Sequence, residues 1–428
     1  MNTRRATLFA IAVVFLAQTA GAQLVTSTVP QSRTVPVKDA VDQSMSDAPW
    51  QIGPVRLQPK FGIRNFGYID NVFGVDEDEE EPVDDWTASV AAGLEAYLPV
   101  GRKGVLRARA LPEYTWYKDL EERRQLGGFY DASAFGFFNR LTVELNGFAA
   151  DTVMAATSET EVQADVETTG GSAKAEVEIF RRLSIFAGAE QRDLDHGTFD
   201  EVDDPDLQFN RLDRAESAAR AGVRYAWRSY FDVSILAETT ETEFEGGAIA
   251  GDNESDAILL GVHYDRPKFY LNLTGGLREG NAINGSLFPD YSETTGSWFA
   301  EYRLTAPIDV QAYGRRDIGY SLSSDNAYFL EDRTGAAIRF QLGSRVAVRI
   351  SAETGSNDYP VPVLDAGVLR DRVDDLQTLG ATVSIPLWRR FALTVGAMQT
   401  DFDSNIAGGD RSVVRIISMI GLRSEVFR

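Results

Sequence analysis

Apolar and polar residues alternate along most of this chain, which predicts long β-strands with two different environments. Over residues 84–98, one face carries Trp86, Ala88, Val90, Ala92, Leu94, Ala96 and Leu98. The opposite face carries Asp85, Thr87, Ser89, Gly93 and Glu95. The same alternation runs through residues 268–278 and 345–353. Long strands with one apolar and one polar face are typical of a transmembrane β-barrel.

Short turns at regular intervals join these strands in pairs. Eight turns recur about every 40 residues, and they read LPVGRKGV, FFNRLTV, IFRRLSI, AWRSYFD, YDRPKFY, LTAPIDV, QLGSRVAV and PLWRRFAL. Nine longer connections lie between them, centred near residues 78, 123, 156, 202, 248, 285, 325, 364 and 406. Short turns on one rim and long connections on the other are the outer-membrane pattern. The spacing predicts an all-β, antiparallel up-and-down barrel of 18 strands, with 16 as the alternative.

Soluble β-folds share part of this pattern. A β-helix or β-sandwich also alternates, and a repeat of about 40 residues also occurs in β-propellers. A propeller blade, however, has four short strands, whereas each repeat here is a hairpin of two long ones. The alternation is also sustained for longer than soluble strands usually need. The pattern therefore favours the membrane barrel.

The first 53 residues lack this alternation. Arg4 and Arg5 precede a short apolar run, and Ala20-Gly21-Ala22 forms a small-x-small site, so residues 1–22 are predicted to be a secretory signal peptide. Residues 23–53 are polar, contain three prolines and show no clean period, which predicts a flexible periplasmic segment. The barrel is expected over residues 54–428. The chain has no cysteine, so no disulfide is expected.

The net charge and the mean hydropathy restrict which partners and which environment the protein can have. The net charge of −22 argues against nucleic acid as a partner, and a mean hydropathy of −0.21 is the average expected when lipid-facing and lumen-facing residues alternate. The acids cluster at residues 76–85, 193–206 and 238–245. Carboxylates suit Ca²⁺ and Mg²⁺, but the clusters lack the ligand spacing of an EF-hand. We therefore expect solvated extracellular loops, with no metal site and no cofactor.

Catalytic chemistry finds little support in the sequence. The chain has only two histidines, His196 in an acidic stretch and His263 in a predicted strand. A membrane-barrel phospholipase would need a histidine beside a serine, and no serine is locally placed with His263. The prediction is that the protein is not an enzyme.

The lumen is the predicted functional region. If the apolar face of each strand contacts lipid, a mixed set of charges points inward. Its candidates are Arg107, Arg109, Arg220, Arg224, Arg278, Arg303, Arg315, Arg339, Arg349, Arg415, Glu113, Asp309, Asp317 and Glu353, with Arg423, Glu144, Asp232, Glu238 and Glu301 on the same face. Such a set could select charged solutes, because arginine binds carboxylates in bidentate geometry. Alternatively, the charges pair across strands and stiffen the wall. The sequence leaves both open.

A short motif at the end of the first strand resembles a known family. Residues 68–74 read YIDNVFG, and the hairpins that follow have basic turns such as NRL, RRL and RRF. Together they resemble the β-barrel porin-2 family over about residues 54–428. Members of that family are often found with genes for exopolysaccharide synthesis and export. The resemblance implies an outer-membrane pore through which an exopolysaccharide leaves the cell.

Two other functions remain open from the sequence: a general or solute-specific diffusion porin, and a structural or adhesive outer-membrane barrel. The expected partners are outer-membrane lipid, lipopolysaccharide and the barrel assembly machinery. Under the export hypothesis, periplasmic polysaccharide-export proteins join them. The substrate, the oligomeric state and any plug in the lumen are left undetermined by the sequence.

Overall fold

The structure, a computed structural model, describes residues 33, 35–74, 81–160, 163–197, 209–245, 251–323, 325–343, 345–365, 367–387, 391–406 and 409–422. The helices are α1 (Val37–Asp47) and two 3₁₀ turns (Glu121–Arg123, Phe209–Leu212). The strands are β1 (Trp50–Ile52), β2 (Val55–Ile69), β3 (Asp85–Val100), β4 (Gly104–Tyr117), β5 (Gln125–Phe137), β6 (Leu141–Ala155), β7 (Gln163–Phe180), β8 (Leu183–Gly197), β9 (Arg214–Arg228), β10 (Phe231–Phe244), β11 (Asn253–Asp265), β12 (Phe269–Ala282), β13 (Tyr291–Thr305), β14 (Ile308–Tyr320), β15 (Tyr328–Leu342), β16 (Val346–Asp358), β17 (Val363–Asp365), β18 (Val368–Arg370), β19 (Val373–Pro386), β20 (Phe391–Ser404) and β21 (Arg411–Leu422).

Eighteen of these strands form one closed antiparallel barrel. Strands β2 to β16 and β19 to β21 each pair with the next, and β21 pairs back with β2 to close the sheet. Strand β1 only extends the edge of β2, while β17 and β18 form a small hairpin between β16 and β19. Closure satisfies every strand edge, which a sheet in lipid requires. The prediction of an 18-stranded up-and-down barrel is confirmed. None of the described helices is long and apolar enough to cross a membrane.

The alternation in the sequence becomes the two surfaces of the wall. In β3, Trp86, Val90 and Leu94 are exposed on the outside of the barrel, whereas Ser89 and Glu95 are buried inside it. Successive side chains of a strand point to opposite faces, so a period of two separates the two environments. The exposed apolar side chains form the surface that contacts lipid.

The connections divide the barrel into two rims. All eight short turns lie at one rim, together with the start of β2 and the end of β21. The strand ends that flank the nine longer connections lie at the other rim. Because outer-membrane barrels have short periplasmic turns, we call these the periplasmic rim and the extracellular rim.

The acidic cluster at residues 238–245 lies mostly in a strand, so the prediction of an extracellular loop is wrong there, whereas the prediction that Glu238 faces inward agrees with the structure. Glu238, Glu241 and Glu243 lie within β10, not in an extracellular connection. Glu238 points inward, while Glu241 and Glu243 are exposed on the outer face. Threonine and glutamate occupy both faces of this stretch, so the apolar–polar alternation that marks a strand is missing and the sequence reads as a loop. In the other two clusters, residues 75–80 and 198–208 lie outside the described part of the chain.

The N-terminal segment differs from its prediction. The sequence predicts an irregular periplasmic segment over residues 23–53, but α1 occupies Val37–Asp47 and β1 occupies Trp50–Ile52. Val41 of α1 is buried inside the barrel, close to the periplasmic rim. The predicted signal peptide lies outside the described residues. The first barrel strand begins at Val55.

Candidate functional site

The lumen wall carries the charged residues that the sequence predicts to point inward. In β14, Asp309, Arg315 and Asp317 alternate with outward positions such as Val310 and Ala312. The pairing registers place the whole set on the inward face: Arg107, Arg109, Arg220, Arg224, Arg278, Arg303, Arg315, Arg339, Arg349, Arg415, Glu113, Asp309, Asp317 and Glu353. Arg423 lies outside the described residues. The arrangement brings many of these side chains into contact.

Most of the inward arginines form ion pairs with carboxylates on the barrel wall. The pairs join Arg107 and Arg109 to Asp131, Arg220 to Glu190, Arg224 to Glu176, Arg278 to Glu238 and Arg315 to Asp317, at N–O distances of 2.5 to 3.3 Å. Glu113 accepts a hydrogen bond of 2.8 Å from Arg64 of β2. Pairs of this kind cross-link the wall. For these residues the arrangement agrees with the alternative in which charges pair across strands and stiffen the wall.

A row near the periplasmic rim has a different charge balance. Arg303, Asp309, Arg339 and Arg349 occupy directly neighbouring positions on β13, β14, β15 and β16. Asp309 Oδ1 lies 3.1 Å from Arg303 Nε, and its Oδ2 lies 3.8 Å from Arg339 Nε. The row thus has three guanidinium groups and one carboxylate, and Arg303 and Arg339 are the two that contact the carboxylate. We call it the arginine row.

Two members of the arginine row repel each other. Arg339 and Arg349 stand directly opposite on adjacent strands, where like charges are destabilising. The Arg349 guanidinium donates to Gln311 Oε1 at 2.5 Å, and Gln311 Nε2 donates to Glu301 Oε2 at 3.1 Å. An anion between the two guanidinium groups would relieve this repulsion. The row is therefore the part of the lumen best suited to attract an anion.

The extracellular mouth is crossed by the connection between β6 and β7. Glu159 in this connection is buried and contacts the far side of the barrel. Its carboxylate accepts hydrogen bonds from the Ser321 hydroxyl at 3.0 Å and the Leu322 backbone N–H at 2.7 Å. It also lies 2.9 Å from the Tyr359 hydroxyl and 3.8 Å from Arg372 Nη1. These partners lie 162 to 213 residues further along the chain, in two other extracellular connections.

Further contacts hold the same connection. The Arg333 guanidinium donates to the Ser158 carbonyl oxygen at 3.3 Å, and Arg411 donates to the Glu159 carbonyl oxygen. The Tyr359 hydroxyl also lies 3.0 Å from Asp374 Oδ2. Burial, together with these carboxylates, raises the pKa of Tyr359 well above its ordinary value. The tyrosine therefore stays protonated and can donate within this network, which fixes the connection across the mouth.

The two histidines both point into the barrel interior. His196 is buried, with Nδ1 3.1 Å from Asp213 Oδ1. His263 is buried with its ring edge-to-face against Tyr270, at 5.3 Å between ring centres. Both positions are explained by packing and hydrogen bonding within the wall.

Sequence reasoning missed the residues that cross the two mouths. Glu159 lies in a stretch without regular alternation, and nothing local indicates which distant residues it meets. The helix left a clearer signal, because Val37, Val41 and Met45 follow the i, i+4, i+8 spacing of one helical face. That spacing predicts a helix, although it does not predict that the helix lies inside a barrel.

Comparisons with known proteins match this chain at the level of fold. No protein-family model matches the sequence, and no curated protein matches it. Among solved structures, OccK2 (OpdF) of Pseudomonas aeruginosa in complex with glucuronate is 13% identical, with 86% of this chain and 98% of that chain covered and a TM-score of 0.51. A BenF-like porin from Pseudomonas fluorescens Pf-5 is 12% identical, with 86% and 98% covered and a TM-score of 0.52. OccAB4 of Acinetobacter baumannii is 11% identical, with 88% and 99% covered and a TM-score of 0.50.

These likenesses concern the fold of outer-membrane porins. No family model supports the resemblance to the β-barrel porin-2 family, so this family is not assigned to the chain. What remains is a likeness to outer-membrane porins in general. The chain folds as an 18-stranded barrel of the kind seen in outer-membrane porins. With a closed sheet and an apolar outer surface, the protein is located in the bacterial outer membrane, as the sequence predicts.

Proposed function

We propose that this protein is an outer-membrane diffusion pore that favours small acidic solutes. The observation that carries the proposal is the arginine row, where three guanidinium groups stand in a row with one inward carboxylate, which contacts only two of them. A carboxylate solute can accept paired hydrogen bonds from a guanidinium group. It also offsets the repulsion between Arg339 and Arg349, which neutral solutes cannot do.

The sequence resemblance led to exopolysaccharide export as the main hypothesis, with a diffusion porin as the alternative. Two features favour the alternative. Solved structures that share the fold of this chain include porins. In addition, chain segments reach across the lumen near both rims, at Glu159 on the extracellular side and at Arg33 and α1 on the periplasmic side. Crossed mouths suit small solutes better than a continuous polymer.

Conductance in planar bilayers tests this function. The purified protein is expected to form channels whose reversal potential in a salt gradient indicates anion preference. Proteoliposomes should take up glucuronate faster than glucose, which lacks the carboxylate. The double variant Arg339→Gln/Arg349→Gln should lose about 10-fold of the anion preference, since it removes two positive charges from the lumen.

The matched control is Arg102→Gln/Lys103→Gln, which removes two charges from an exposed periplasmic turn. It should leave the selectivity unchanged. An absence of channels both in the wild-type protein and in variants with an unobstructed periplasmic mouth would refute the pore and favour a structural or adhesive barrel. Passage of a long acidic polysaccharide would instead return the assignment to polymer export.

A further inference from the structure

The N-terminal segment reaches across the periplasmic mouth from one wall to the other. We call Arg33 together with residues 35–47 the N-terminal strap. Its helix α1 packs on the inner face of β3, β4 and β5, while Arg33 binds β11 and β13. In the order of the 18 barrel strands, β4 and β12 are separated by eight steps, which is almost half the circumference. The strap therefore spans the lumen.

The helical end of the strap is held by apolar contacts. Val41 is buried, and Val37 and Met45 pack beside it on the same helical face. Their partners are the inward side chains Tyr97, Val105, Phe135 and Phe137. The Arg56 guanidinium adds a hydrogen bond of 3.3 Å to the Met45 carbonyl oxygen. An inward apolar patch at the rim of a polar lumen is thus covered by α1.

The other end of the strap is held by charge. Arg33 Nε donates to Glu301 Oε1 at 2.8 Å, and its Nη1 lies 3.2 Å from Asp265 Oδ1. The Arg266 carbonyl oxygen is 3.4 Å from the same Nη1, and the guanidinium lies 5.4 Å from the centre of the Tyr270 ring. The Arg33 side chain keeps 28% of its surface exposed. This end is therefore accessible to water.

Side chains, not backbone pairing, attach the strap to the barrel. Among the described residues, strand pairing begins only at β1, after the strap has ended. An isolated helix of 11 residues is marginal in water, so α1 depends on the apolar patch for its stability. The strap can consequently leave the mouth without breaking any hydrogen bond between barrel strands.

We propose that the N-terminal strap is a gate of the periplasmic mouth, closed when Arg33 is bound to Glu301 and Asp265 and open when that end is released. The strap narrows the passage when both ends are attached. Release at Arg33 widens it, while α1 and β1 keep the segment tethered to the barrel. This gate is independent of which solute passes, although its readout uses the conductance of the proposed pore.

The first test compares two single-charge variants in planar bilayers. Arg33→Ala removes the contacts to β11 and β13, and we expect its single-channel conductance to rise by about twofold or its open state to be prolonged, since a mouth spanned by the strap becomes wider. Lys38→Ala removes the same charge from an exposed position of α1 and should conduct like the wild type. Equal conductance in all three proteins would overturn the gate.

The second test uses the absence of cysteine from the chain. In Val41→Cys/Val105→Cys, a short thiol-reactive cross-linker ties α1 to β4, and in Arg33→Cys/Asp265→Cys it ties the other end to β11. The gate predicts that cross-linking the Arg33 end removes transitions to the wide state and that cleaving the linker restores them. A cross-linked Arg33 end that still shows those transitions would contradict the proposal.

The outcomes separate the gate from the pore. If the wild type conducts and the strap variants behave identically, the gate fails and the pore stands. If the wild type is closed and Arg33→Ala conducts, both are supported. If none of the proteins conducts although each migrates as a folded, heat-modifiable barrel in gel electrophoresis, the pore fails. In that case Val35→Cys, which keeps Arg33 and lies beside it at an exposed position, still tests the closed strap. It should react with a bulky thiol reagent more slowly than Val35→Cys/Arg33→Ala, and equal rates would refute the closed strap.

Discussion

The two mouths of the barrel are both crossed by chain, but by different kinds of contact. At the extracellular mouth, the buried Glu159 carboxylate is surrounded by hydrogen-bond donors from distant connections. At the periplasmic mouth, an apolar helical face and one partly exposed arginine hold the strap. Buried polar networks are costly to leave half satisfied, whereas exposed ion pairs contribute little. One crossing is therefore fixed and the other can be released.

The largest expected effect is at the fixed crossing. Glu159→Ala leaves the Leu322 N–H and the Ser321 hydroxyl without this acceptor, and Tyr359 keeps only Asp374 as its carboxylate partner. Removing one member of a buried charged network costs about 3 kcal/mol. Hydrogen–deuterium exchange of the β6–β7 connection should accelerate strongly, and conductance should rise. The control is Glu167→Ala, at an exposed outward position of β7, for which exchange should stay at the wild-type rate.

A smaller effect is expected at the apolar end of the strap. Val41→Asp places a carboxylate against Tyr97 and Val105, and it forfeits the burial of one valine, about 2 kcal/mol. We expect α1 to leave the wall and to become sensitive to protease. The barrel itself should keep its heat-modifiable mobility in gel electrophoresis. Gln43→Asp, which adds the same charge to the exposed face of α1, should stay protected; cleavage there as well would argue against apolar docking.

Loss of the Tyr359 hydroxyl should destabilise the β6–β7 connection by about 1 kcal/mol, and its ionisation should make that stability depend on pH. Because burial raises its pKa in the folded protein, its stabilisation is complete below about pH 10, the unfolded value, and is lost as the pH rises towards the folded value. The protection factors of amides in the β6–β7 connection, which correct for base-catalysed intrinsic exchange, should therefore fall only above about pH 10. Tyr359→Phe should remove this alkaline step. A step of unchanged size in that variant would assign it to another group.

The smallest expected effect is a difference in salt sensitivity between the contacts at the two mouths. The contacts of Arg33 are partly exposed and should weaken between 0.05 and about 1 M salt, by less than about 1 kcal/mol. The buried Glu159 network should be insensitive over the same range. Labelling of an engineered cysteine on the strap and exchange at the β6–β7 connection measure the two responses. Equal salt sensitivity at both mouths would remove the distinction between them.

Much of the wall is predictable from the sequence because alternation is a local property. The period of two in β3 alone separates Trp86 and Val90 from Ser89 and Glu95. Counting short turns and long connections predicts 18 strands and two different rims. The inward direction of Arg339 and Arg349 follows in the same way, from their neighbours along the strand.

The partners of those residues are not predictable in the same way. Whether Arg339 faces Arg349 or a carboxylate depends on the register between β15 and β16, and a shift of one residue would exchange every neighbour. Glu238 shows the converse, since an apparently acidic loop becomes a strand whose inward glutamate binds Arg278. Local composition does not specify register.

By itself, the sequence determined a closed membrane barrel, its two rims and the face on which each charge lies, because these depend on neighbours along the chain. Only the tertiary structure decided what crosses the mouths. Glu159 meets Ser321 and Tyr359 across the barrel, and Arg33 meets Glu301 although 268 residues separate them. Such contacts exist only after closure brings opposite walls within reach of one side chain.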